Sequence, residues 1–99
     1  MVLFDVLFAP FPDEAHNYAR GLVDYDEEKK RFNIAVDTRQ SEEQQLFTLK
    51  HEFAHIMVGH VFGSDKPITI RESEADDYAN KMTDSMFESL LSLSNVVRM

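Results

Sequence analysis

Residues 41–62 read SEEQQLFTLKHEFAHIMVGHVF, and the architecture turns on this stretch. Ser41 and Gln44 have the S-x-x-Q spacing of a capping box, in which side chains satisfy free N–H groups at a helix start. Beyond them, Leu46, Leu49, Phe53, Ile56 and Met57 form one apolar stripe at helical spacing, and Phe47, Ala54, Val58 and Val61 line another side. Two apolar faces predict a helix buried through the middle of the domain, running to about Phe62.

Three of the chain's four histidines lie on that helix, in KHEFAHIMVGH at residues 50–60. An α-helix turns ~100° per residue, so His51 and His55 lie ~40° apart on one face. Both imidazoles can reach one cation, and H-E-x-x-H inside a helix is a zinc-hydrolase pattern. Zinc accepts imidazole nitrogen, and catalytic zinc takes three protein ligands and a water. Glu52 is placed to accept that water's proton without being a ligand. His60 lies nine residues past His51 and five past His55. On a continuous helix it points ~180° and ~140° away from them. It reads as a helix C-terminal residue, where histidine is stabilised by the macrodipole.

Upstream, Val2 to Phe8 is rich in β-branched and aromatic residues and is stopped by Pro10 and Pro12, which predicts a strand. PFPDEA reads as a loop or a short turn of helix. Tyr18 to Tyr25 and Arg31 to Val36 are two further strands joined across the polar run DEEKK. In the second, Phe32, Ile34 and Val36 alternate with Asn33 and Ala35. This strand is a place where an extended peptide can add along an edge.

Downstream, GSDKP breaks the pattern, and Thr69 with Glu72 makes a second capping box, T-x-x-E. A second helix is expected from near Thr69 to about Leu93, with Ala75, Tyr78, Ala79, Met82, Met86, Leu90 and Leu93 at helical spacing. The third metal ligand should come from its acids, Glu72, Glu74, Asp76 and Asp77. Glu72 is occupied by the cap, so Glu74 is favoured. Asp77, three residues on, can orient a ligand histidine from outside. All four acids also suit a helix N-terminus on charge alone. The fold class is α+β, a small antiparallel sheet followed by two helices, with no repeat or linker in a single domain of residues 1–99.

The chain has 99 residues and no cysteine, which excludes disulfides and thiolate metal sites. Its net charge of −8 repels phosphate backbones and argues against nucleic-acid binding. The apolar start, MVLFDVLFAPF, carries Asp5 and no basic residue, unlike a signal peptide. No apolar run is long enough to span a bilayer. The chain reads as a soluble, cytoplasmic protein.

VDTRQSEEQQLFTLKHEFAHIMVGH followed by ESEADDYANKM resembles the ImmA/IrrE family of phage-type and bacterial metallopeptidases. The family's hallmarks are a strand ending in Asp, a capped helix with FTL-x-HE-x-x-H, and an E-A-(N/D)-x-(F/Y)-A segment. Here these are Phe47-Thr48-Leu49, His51-Glu52 with His55, and Glu74-Ala75-Asp76 with Tyr78-Ala79. The match covers roughly residues 18–90. The resemblance implies a minimal gluzincin-like fold, with zinc held by His51, His55 and Glu74 and the HExxH motif on the first main helix. It implies proteolysis, and characterised relatives cleave helix-turn-helix repressors. Many gluzincins place an aspartate four residues after the ligand glutamate. That position is Tyr78 here, so the supporting role falls to Asp76 or Asp77. Oxyanion stabilisation is open among Tyr78, His60, Tyr25 and His16.

The rival reading is a non-enzymatic module, metal-bound or metal-free, that binds a protein partner. A structural metal would help so thin a core. A purely structural site, however, needs no base at Glu52.

Overall fold

The structure, a computed structural model, describes all 99 residues. Strand β1 (Phe4–Ala9) leads through helix α1 (Asp13–Tyr18) to β2 (Gly21–Asp26) and β3 (Arg31–Asp37). Helix α2 (Glu42–Met57), a 3-10 turn (His60–Phe62), α3 (Ile68–Lys81), α4 (Asp84–Ser92) and β4 (Ser94–Arg98) follow. The strands form one sheet in the order β2-β3-β1-β4. Alternation decides its buried face. Phe4, Val6 and Phe8 of β1 and Ile34 and Val36 of β3 point one way and pack on Leu49 and Phe53 of α2 and on Met82. The Phe4 ring meets Phe53 edge-on at 5.2 Å. The other sheet face leaves Leu7, Leu22 and Val97 exposed.

The α+β class agrees with the sequence reading, but the sheet is mixed rather than antiparallel. Only the β2–β3 hairpin is antiparallel. β1 lies parallel to β3, with Phe4 opposite Phe32 and Ala9 opposite Asp37, and parallel to β4. Strand β3 therefore has both edges occupied, so the edges open to an extended peptide are the outer ones of β2 and β4.

Helix α2 starts as the sequence predicts, with Ser41 Oγ accepting from the Gln44 N–H at 3.2 Å. It ends earlier, at Met57. Gly59 takes a left-handed conformation (φ 82°) that ends the helix and re-aims the chain. The second expected helix is two. Met82 is extended and buried, and Thr83 caps α4 by accepting from the Met86 N–H at 3.2 Å. The Thr69–Glu72 capping box does not form. Helix α3 begins right after Pro67, which puts Thr69 inside the first turn and leaves Glu72 free. No helix is long and apolar enough to cross a membrane.

Candidate metal centre

Helices α2 and α3 meet through small side chains. Ala54 of α2 packs on Ala75 and Ala79 of α3, all three buried. That close approach sets which residues of α3 face the histidines. Glu72 lies one turn before Ala75, and Asp76 one turn after Glu72. Glu74 is about 160° around the helix from Glu72, so only one of these glutamates can meet His51 and His55.

The carboxylate that does so is Glu72. Its Oε2 lies 2.7 Å from His51 Nε2 and 3.4 Å from His55 Nε2, and the two Nε2 atoms are 3.0 Å apart. Behind His51, Asp76 Oδ1 lies 2.8 Å from Nδ1. With the Nδ1 proton donated to Asp76, His51 Nε2 presents a lone pair to the site. Burial pushes the His55 pKa down; Glu72 pulls it up, but His51 and His60 push it down again, and the net shift favours neutral imidazole. Two imidazole lone pairs and a carboxylate oxygen thus face one point, an arrangement that asks for a cation. The donor set, two imidazoles and one carboxylate, is that of catalytic zinc hydrolases.

Glu74 is turned away from this point, against the sequence expectation. Its Oε1 is 3.3 Å from His60 Nε2, and its Oε2 accepts from Lys66 Nζ at 2.7 Å. The Lys66 hydrogen bond is the main cause of a Glu74 pKa below the ordinary value. Counted from Glu72, the aspartate four residues on is Asp76, the residue that holds His51.

Glu52 sits beside the same point. Its carboxylate is within 4.8 Å of both histidine nitrogens and only 5% exposed, and its Oε2 has no hydrogen-bond partner. Burial raises its pKa to about 7; His51 lowers it and Glu72 raises it further. A buried polar atom is rarely left unpartnered without a role. Here the orphaned oxygen belongs to a carboxylate that lies beside both imidazoles.

Gly21, which the sequence reading passed over, makes room for it. A Cβ on Gly21 would lie 2.6 Å from Thr48 Cγ2, 3.1 Å from Glu52 Cγ and 3.2 Å from the Ala35 carbonyl oxygen. The first residue of β2 must therefore be glycine for the strand to pass over Glu52. The cleft so formed holds about 300 Å³, with Tyr18, Arg20, Gly21 and Phe47 on its walls and His51, Glu52 and Glu72 on its floor.

The family model for the IrrE N-terminal-like domain, peptidase M78, matches residues 4–93. The chain belongs to this family. Neither the curated proteins nor the solved structures give a match. In this M78 chain the remaining candidates are dispersed. Asp77 is exposed and joins neither imidazole, and Tyr78 packs into the core between α3 and the sheet. Tyr25 meets Phe32 and Phe62 edge-on. His16 Nδ1 is bound to Asp37 Oδ2 at 2.5 Å, outside the cleft. Asp37, fully buried at the end of β3, also accepts from the N–H groups of Phe11 and Arg39 and so ties α1 and the β3–α2 turn together. Of the residues at the mouth of the cleft, Tyr18 and Arg20 were not anticipated; the strand expected from Tyr18 begins only at Gly21, with Tyr18 ending α1 and Arg20 in the connection between them.

Proposed function

We propose that residues 1–99 form one metallopeptidase domain, a zinc-dependent endopeptidase in which His51, His55 and Glu72 hold the metal and Glu52 is the general base. The observation that carries the proposal is the convergence of His51 Nε2, His55 Nε2 and Glu72 Oε2 beside the buried carboxylate of Glu52. Zinc held there would polarise the scissile carbonyl and acidify a water. Glu52 takes one of the water's protons on its carboxylate as oxygen adds to the carbonyl carbon. It then returns the proton to the amide nitrogen as the C–N bond breaks, and the water's second proton passes from the new carboxylic acid to the amine, leaving a carboxylate and an ammonium group. The outer edge of β2, unpaired and running from Gly21 beside Glu52, can hold an extended main chain by strand addition.

The substrate this reading favours is a regulatory protein of the helix-turn-helix repressor type, cleaved in the cytoplasm. Purified protein should carry about one zinc per chain, and chelation should lower its melting temperature. Glu52→Gln should keep the metal and lose cleavage of a co-expressed repressor encoded beside it. Cleavage that survives Glu52→Gln would refute the mechanism. The non-enzymatic reading predicts metal, or none, and no cleavage in the parent protein.

A further inference from the structure

The two histidines of the centre are supported differently. His51 has a carboxylate, Asp76, directly behind it. His55 has another histidine. His55 Nδ1 lies 3.0 Å from His60 Nδ1, His60 Nε2 lies 3.3 Å from Glu74 Oε1, and Glu74 Oε2 accepts from Lys66 Nζ at 2.7 Å. His60 is well enclosed, with 7% of its side chain exposed.

We propose that His60, backed by Glu74 and Lys66, is a positioning residue that fixes the tautomer and ring orientation of His55 for metal binding. The proposal rests on the metal reading above. The proton count allows only one assignment with neutral rings. For His55 Nε2 to offer a lone pair, its proton must be on Nδ1, which then donates to His60 Nδ1. His60 in turn carries its proton on Nε2 and donates to Glu74 Oε1. Lys66 donates to the other oxygen and holds that carboxylate in place. Each donor meets an acceptor, and the free lone pair is left at His55 Nε2, facing His51 and Glu72.

The backbone supports the same conclusion. A helix continued through Gly59 would carry His60 to the far side of α2. The left-handed Gly59 (φ 82°) ends the helix and folds the 3-10 turn back, so that His60 meets the outer nitrogen of His55 and not the metal point. Lys66, from the loop before α3, closes the chain of contacts. Glu74 thus acts two residues removed from the metal.

Zinc dissociation constants measured by competition with a chromogenic chelator test this, together with 15N NMR of the histidine side chains in zinc-free protein. His60→Leu should weaken zinc binding roughly 10–100-fold and release His55 from the Nδ1-protonated tautomer. His60→Gln, whose amide can accept from His55 and donate to Glu74, should restore most of the affinity. Glu74→Gln should weaken binding several-fold, far less than Glu72→Gln, and it reads the same chain of contacts if His60→Leu does not fold. His60→Leu or Glu74→Gln with parental zinc affinity and an unchanged His55 tautomer would overturn the proposal alone. A parent protein that binds no zinc would overturn the metal reading and this proposal with it.

Discussion

Gly21→Ala tests how tightly the cleft is built. The added methyl would sit 2.6 Å from Thr48 Cγ2 and 3.1 Å from Glu52 Cγ, both on the buried side of α2, with the Ala35 carbonyl oxygen at 3.2 Å behind it. Neither contact is with the far end of a flexible chain, so α2 or β2 must shift. Overpacking of this kind costs about 1–3 kcal/mol. Gly21 does not need a positive φ, so alanine recovers about 0.4–1 kcal/mol by restricting the unfolded chain. The net loss should be roughly 0.5–2.5 kcal/mol, a fall in melting temperature of several degrees for a domain this size. Thr48→Ser removes the atom in closest conflict and keeps the hydroxyl that donates to Gln40 Oε1 at 2.9 Å. The double variant Gly21→Ala/Thr48→Ser should therefore regain much of the loss, with a favourable coupling of about 0.5 kcal/mol or more. Urea unfolding of the four proteins in chelator gives the cycle free of metal effects. Cleavage by Gly21→Ala should also fall, on the order of 100-fold for an ångström displacement of Glu52. A Gly21→Ala protein as stable and active as the parent, or a cycle with no coupling, would refute the close passage of β2 over Glu52.

Glu72→Gln should abolish stoichiometric zinc binding while Asp76→Asn weakens it about 10–100-fold, and chelator competition ranks the two. In zinc-free protein, Glu52 has a folded pKa of about 7 against an ordinary 4.5, so the unfolded chain ionises first. The stability it contributes is complete below pH 4.5 and lost as pH rises to about 7. Glu52→Gln should remove that slope and be more stable than the parent at pH 8 by up to about 3 kcal/mol, read by urea unfolding in chelator. For Asp37, burial raises the pKa, but the His16 hydrogen bond and the N–H groups of Phe11 and Arg39 outweigh it and hold the carboxyl below its ordinary 3.8. Its contribution is present above pH 3.8 and lost as pH falls through the lower folded value. Asp37→Asn should cost roughly 1.5–3 kcal/mol at pH 7, and the difference should shrink in strong acid.

The parts of this structure that depend on near neighbours in sequence were legible in it. The cap at Ser41, the alternation in Phe32–Val36 and the placement of His51, Glu52 and His55 on one helix all follow from local spacing. What escaped depends on contacts between distant segments. The partners of β1 are β3 and, from the far end of the chain, β4, and no local pattern says that it lies parallel to both. Strand β4 lies in SNVVR, directly behind a helical apolar pattern that runs to Leu93. Which glutamate faces His51 and His55 turned on one residue, Pro67. By starting α3 there, it freed Glu72 from the cap and rotated Glu74 toward His60. Gly59, whose left-handed turn ends the helix, brings His60 back to His55 on its outer side. Gly21 gave no signal because its role is the absence of a side chain under Thr48 and Glu52.

The most direct measurement is anomalous diffraction at the zinc edge from crystals of the zinc-loaded protein. A single strong peak within bonding distance of His51 Nε2, His55 Nε2 and Glu72 Oε2, with Glu52 beside it and unligated, is the predicted result. No peak at this point, or a metal bound through Glu74 or His60 in place of Glu72, would contradict it.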